Sequence, residues 1–166
     1  MSLKSKVCVG IDFGTTYSSI GVIKSLADKV MMITYEDEKY FPSCIFFGPG
    51  ECLFGSPAKD KGHPQNIIYD NKRFIGRKWN EIQQHVQNYP FIIDSPNDTD
   101  VRYTISIPDK TTYYTPIDIA TLQLTIIKNI LESELKPYDI QPNIIITVPS
   151  YFNSQQKHAT LKAGIV

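Results

Sequence analysis

From Thr115 to Val148 the chain reads as a long amphipathic helix followed by an aliphatic run, and that pairing leaves few architectures open. Thr115 can cap a helix and Pro116 fits its first position. Ile119, Leu122, Ile126 and Ile130 form one stripe, and Ala120, Leu124, Ile127, Leu131 and Leu135 form its neighbour. Asp118, Thr121, Thr125, Lys128 and Glu132 lie opposite. The spacing predicts a helix of about 20 residues with a wide apolar face, ended by Pro137. Ile144-Ile145-Ile146-Thr147-Val148 then reads as a strand buried on both faces and stopped by Pro149. Asn153 or Ser154 caps a final helix through Ala159, Leu161 and Ala163. A helix joining two strands of one sheet favours a right-handed parallel crossover, so the expected class is α/β with a mixed sheet.

The N-terminal part supplies the other strands. Residues 7–12, VCVGID, and the run from Tyr17 to Ile23 flank a short glycine and threonine turn, which predicts an antiparallel hairpin. Val30–Tyr35 reads as a third strand, close enough for a meander. Between 36 and 116 the pattern is less regular. Short β runs fall at Cys44–Phe47, Val101–Ile107 and Thr111–Tyr114. Ser56-Pro57 looks like a cap and first-turn proline, and Asn80–Tyr89 like a second short helix. With no strand after the final helix, Ile144–Val148 is expected at an open sheet edge, a hazard that a longer chain or a partner would cover.

Composition removes several function classes. Lysine plus arginine is 17 and aspartate plus glutamate is 17, which disfavours broad attraction to nucleic acid or anionic lipid. Hydrophobic residues at 42% and charged residues at 20% suit a folded chain. No apolar run approaches the roughly 20 residues of a membrane helix, and no secretory signal is visible, so the cytoplasm is the expected compartment. Cys8, Cys44 and Cys52 are read as buried free thiols in a reducing compartment. His63, His85 and His158 have no metal-ligand spacing.

The local signal with chemistry in it is Asp12-Phe13-Gly14-Thr15-Thr16-Tyr17 between two strands. A tight turn can aim several backbone N–H groups into one space and so bind phosphate oxygens. Gly14 lets the backbone come close, Thr15 and Thr16 add hydroxyls, and Asp12 at the strand end can hold Mg²⁺ through water. A plain hairpin with a solvated turn is the competing reading. Neither the Walker pattern nor G-x-G-x-x-G occurs, and Asp12-Phe13-Gly14 lacks the kinase loops that would precede it.

Residues 9–18, VGIDFGTTYS, resemble the opening phosphate motif of the Hsp70 chaperones. Phe41-Pro42-Ser43, residues 55–59 (GSPAK), residues 71–77 (NKRFIGR), Thr115-Pro116 and residues 146–153 (ITVPSYFN) resemble later family segments, in order. The resemblance implies an actin-like ATPase fold with ribonuclease H-like topology: a mixed five-stranded-type sheet lacking its last strand, with an inserted α+β subdomain. Residues 1–38 and 117–166 would form the base and 39–116 the insert. It implies that Gly14, Thr15, Thr16 and Tyr17 cradle the phosphates of ATP or ADP, that Asp12 organises hydrated Mg²⁺, and that Thr15 lies near the γ-phosphate. Lys72 would reach the phosphates from the insert, where a compact charge can stabilise transfer. Arg73, Arg77 and Trp79 are assigned to local packing and surface contacts. Pro149 and Tyr151 match the family hinge. Lys157 stands where arginine is usual, and lysine lacks the planar fork. The second lobe, with its phosphate loop and adenosine pocket, and the peptide-binding domain are not in this sequence. The implied parent is an ATPase that couples hydrolysis to binding unfolded polypeptide, with J-domain co-chaperones and nucleotide-exchange factors as partners. The lone lobe is expected to bind ATP weakly and turn it over poorly. A non-enzymatic interaction module is the alternative. A sugar-kinase or actin relative is disfavoured by the Lys72 segment and by residues 148–153.

Overall fold

The computed structural model describes residues 6–23, 29–136 and 141–165. β1 (Lys6–Asp12) and β2 (Tyr17–Ile23) form the expected antiparallel hairpin, with Asp12 opposite Ser19. β3 (Met31–Ile33) extends the meander, and β4 (Phe41–Pro42) pairs with the start of β2. Next come β5 (Ile45–Gly48), β6 (Glu51–Phe54), the one-turn helix α1 (Ser56–Lys59) and β7 (Ile67–Ile68), with β5 central in a three-stranded antiparallel sheet. A 3₁₀ turn at Asn71–Arg73 and the short α2 (Trp79–Ile82) precede a second antiparallel sheet, β8 (Ile92–Asp94), β9 (Arg102–Ile107) and β10 (Lys110–Tyr114). The long α3 (Pro116–Leu135), β11 (Gln141–Ile146) and α4 (Ser154–Ala163) complete the described chain.

β11 lies parallel beside β1, from Lys6 opposite Gln141 to Ile11 opposite Ile146, so the main sheet is mixed as expected. Alternation on β1 and β2 sends Val7, Val9, Ile11, Ile20 and Val22 to one buried face. Ala120, Leu124, Ile127 and Leu131 of α3, with Ala159 and Ala163 of α4, pack into the same core. Thr115 caps α3 by accepting the Asp118 N–H while Asp118 accepts the Thr115 N–H, and Asn153 and Gln156 do the same for α4. A second core joins Ile45, Phe74, Phe91 and Tyr103 to Ile119 at the start of α3.

Buried polar contacts tie the two cores together. Gln123 donates through Nε2 to the Ser43 carbonyl at 3.0 Å, and Ser18 and Ser43 share a hydroxyl hydrogen bond of 2.8 Å. Gly76, at φ +69°, lies flat on α4: a Cβ there would stand 2.6 Å from the Gln156 Cα. No side chain fits that approach, and the close contact fixes the segment after Lys72 against the final helix.

Several expectations need correction. The aliphatic run lies at the sheet edge as expected, but it is not buried on both faces, with Ile144 46% and Ile145 62% exposed. The strand also ends at Ile146, so Thr147 and Val148 are freed for other contacts. Only Cys44 is buried among the three free thiols. Cys8 alternates to the open face of β1, and Cys52 is also exposed. Gly55, not Ser56, occupies the cap of α1, and Ser56 instead donates its hydroxyl to Glu38 at 2.7 Å. Residues 80–89 form two separate turns, Trp79–Ile82 and Val86–Asn88, rather than one helix. Pro137 lies outside the described residues. No helix among the described residues is long and apolar enough to cross a membrane.

Candidate functional site

The loop from Phe13 to Thr16 sits at the end of the hairpin, and its shape is set by Gly14. A Cβ on that residue would fall 1.8 Å from the carbonyl oxygen of Tyr17. The loop therefore folds back on itself tightly enough that only hydrogen fits. Phe13 points inward and is 1% exposed, which anchors the loop in the core. Gly14 and Thr15 are half-buried, and Thr16 and Tyr17 are exposed. The Thr16 carbonyl accepts the Ser43 N–H at 2.8 Å, which fixes the far side of the loop. Among the described residues, none accepts a hydrogen bond from the N–H of Gly14, Thr15 or Thr16. Donors left open on a rigid loop are what an anion-binding nest requires.

Asp12 closes β1 with its carboxylate exposed. Thr147, just past the end of β11, donates its hydroxyl to Asp12 Oδ1 at 2.9 Å. The backbone in the same region is held by the Thr147 N–H on the Ile11 carbonyl at 3.0 Å. The parallel register of β1 and β11 thus places Thr147 beside Asp12.

Lys72 reaches this place from the 3₁₀ turn. It is 6% exposed, and its Nζ donates to the Thr147 carbonyl at 3.3 Å. The ammonium lies over the ring of Phe13 at 5.3 Å and that of Phe152 at 5.7 Å. Burial pulls its pKa down from 10.5 to about 8, and the charge of Asp12 partly opposes that fall. Lys72 also borders a cavity of about 510 Å³, lined by Asp70, Arg73, Arg77, His85 and Tyr151 among others. Thr16 and Tyr17 border a separate pocket of about 280 Å³ with Tyr69 and Asp70.

Asn71 holds the 3₁₀ turn in place. Its Nδ2 donates to the Pro116 carbonyl and its Oδ1 accepts the Tyr103 hydroxyl, both at 2.8 Å. Replacing Asn71 with alanine leaves the carbonyl and the fully buried hydroxyl unpartnered. The expected loss is about 3 kcal/mol in a urea denaturation measurement. An unchanged midpoint would mean that Lys72 is positioned by something other than this anchor.

The structure brings Asp12, Gly14, Thr15 and Lys72 around one loop, with Thr16 and Tyr17 continuing it on the side toward Ser43 and Pro42. Arg73 is exposed and donates to Asp70 at 3.0 Å, while Trp79 packs on the second core. Tyr151 is 74% exposed and Lys157 borders an apolar groove between the last two helices. Four contributors were not singled out by the sequence: Thr147, Phe13, Phe152 and Asn71. Thr147 had a signal, since it is the one polar residue in an aliphatic run. No cluster of three metal-ligating side chains occurs among the described residues. Asp12, with one carboxylate oxygen engaged by Thr147, offers hard oxygen suited to a hydrated Mg²⁺ and unsuited to a metal that needs a full protein shell.

A family model described as Hsp70 protein matches residues 8–166. The chain is 36% identical over 165 residues to heat shock cognate 70 kDa protein 3 of Dictyostelium discoideum, which covers 95% of this chain and 25% of that protein. It is 35% identical over 159 residues to chaperone protein DnaK from two strains of Thermus thermophilus, covering 94% of this chain and 25% of those proteins. The chain thus spans about a quarter of the length of these curated relatives.

Proposed function

The chain belongs to the Hsp70 family, and on that premise we propose that it is an ATP-binding lobe whose parent couples ATP hydrolysis to the binding and folding of unfolded polypeptides. The observation that carries the reading is the position of Lys72, whose buried ammonium comes in from another segment to the loop with open amides. In this reading residues 39–116 form the inserted subdomain that presents Lys72, and 1–38 with 117–166 form the base that presents the loop.

The amides of Gly14, Thr15 and Thr16 would receive phosphate oxygens, with the Thr15 hydroxyl nearest the terminal phosphate and Tyr17 fixing the exit of the loop. Lys72 would balance charge on the phosphates, which matters most as transfer proceeds. Asp12, oriented by Thr147, would hold a hydrated Mg²⁺. That ion, when bound, neutralises phosphate charge. Pro149 and Tyr151 would sense nucleotide state at the hinge, and J-domain co-chaperones and exchange factors are the proposed partners of the parent. The site as described is one-sided: the loop, Asp12 and Lys72 form a single wall. Weak ATP affinity and slow turnover by this chain alone are therefore expected.

Titration calorimetry with ATP, AMP and adenosine in the presence of Mg²⁺ tests the reading. ATP should bind weakly but measurably, and the ligands without the phosphate tail should not. Equal affinity for all three would contradict it, and hydrolysis at the rate of an intact Hsp70 would contradict the one-sided site. A second reading, an interaction module, is favoured by one observation: the exposed Ile144, Ile145, Leu161 and Ile165 near the edge strand and last helix. Light scattering over a concentration series tests it, and a monomer throughout would count against it.

A further inference from the structure

The cation of Lys72 is held in an unusual way for a charge so deeply buried. Among the described residues no carboxylate lies in salt-bridge contact with it. Its contacts are the two ring faces and one carbonyl, and the charge of Asp12 acts on it from beyond salt-bridge distance. The rings come from different segments, Phe13 from the loop and Phe152 from the residues before α4. Both are almost completely buried, at 1% and 4% exposure, so neither can swing away to solvent. Both centroids lie within the roughly 6 Å at which a ring face attracts a cation.

We propose that Phe13 and Phe152 are positioning residues: their ring faces hold the Lys72 ammonium at the loop without neutralising it, so that its charge is kept for phosphate. The assignment rests on the nucleotide reading above. A carboxylate in the same place would pair with the ammonium and compete with an incoming anion. A ring face attracts the cation through its quadrupole but carries no net charge, so it opposes an arriving phosphate far less than a carboxylate would. The Thr147 carbonyl takes one of the three ammonium donors and leaves the others available. Phe13 also ties the lysine to the loop itself, because any shift of the loop moves one wall of the cage. The cage therefore couples the position of Lys72 to the conformation of the amides.

Progressive fluorination of the ring at 152, with 4-fluoro-, 3,5-difluoro- and 3,4,5-trifluorophenylalanine, keeps its shape and drains its face. Two readouts are taken on the full chain. Without nucleotide, NMR titration of the Lys72 side chain should show the amine losing its proton at progressively lower pH along the series. With Mg²⁺ and ATP, the Kd should rise stepwise, by about two- to thirtyfold at the trifluoro ring, the weight of one cation–ring contact from an exposed to a buried setting. A lysine titration that stays constant along the series overturns the cage. A titration that moves while the Kd does not overturns the positioning role. If the parent chain binds no ATP although the titration follows the series, the nucleotide reading itself fails, and the positioning role falls with it.

Discussion

Replacing Lys72 with methionine is expected to make the protein more stable at neutral pH while abolishing its hold on a triphosphate. The two effects have one cause. Folding takes this ammonium out of water and into contact with two rings and a carbonyl, and burial lowers its pKa from 10.5 to about 8. The unfolded chain therefore binds the proton more tightly than the folded one. Below about pH 8 both states are protonated and the folded state carries the full penalty. As pH rises from about 8 to 10.5 the folded amine is neutral while the unfolded one is still charged, so the penalty fades and stability rises. A shift of this size corresponds to about 3 kcal/mol. Methionine fills similar space without the charge, and a gain of about 2 kcal/mol at pH 7 is expected. Urea denaturation of both proteins from pH 7 to pH 10 measures it. The advantage of the K72M protein should shrink across that window, and other titrating groups cancel in the difference. A variant less stable than the parent at pH 7, with a gap that does not change with pH, would show that the charge is not strained by burial.

The second large effect is expected at Gly14. In Gly14→Ala the new methyl would meet the Tyr17 carbonyl oxygen at 1.8 Å and its carbon at 3.0 Å. Both are backbone atoms of β2, so no rotamer change relieves the contact and the loop must open. A loss of about 3 kcal/mol is expected, with any phosphate affinity lost as well. Gly10→Ala on β1 is the matched control, because nothing lies within 4 Å of its added methyl. It should stay within about 0.5 kcal/mol of the parent. Denaturation midpoints for the two variants decide the point. Equal midpoints would mean that the loop is looser than its geometry indicates.

How far the sequence could be read depended on whether the deciding contact was local. The long helix, its Thr115 cap, the β1–β2 hairpin and the cap of the last helix are all written in short-range spacing, and the structure has them. The aliphatic run at 144–146 lies at the sheet edge as expected but misled on burial, because an aliphatic strand reads the same whether or not a layer covers its outer face. Cys8 misled for a related reason: its neighbours are buried, but period-two alternation turns it outward. The ordered motifs assigned the family from Gly14 and Lys72 onward, yet nothing local could show that Lys72 meets Phe13, Thr147 and Phe152. Those contacts join residues far apart in the chain, and they exist only because Asn71 is anchored to Pro116 and β11 lies in register with β1. Gln123, in the middle of an apolar stripe, is a similar case. Its burial is explained by the Ser43 carbonyl it donates to across the seam between the cores.

Phosphate binding as proposed requires the loop and Lys72 to act on the same ligand. Chemical-shift mapping of the backbone amides during titration with Mg²⁺ and ATP, repeated with adenosine, tests this most directly. ATP should move the amides of Gly14, Thr15 and Thr16 together with the Lys72 side chain, along one binding curve, and adenosine should leave all four in place. Shifts confined to the exposed Ile144 and Ile145 face, with the loop amides unmoved at saturating ATP, would contradict it.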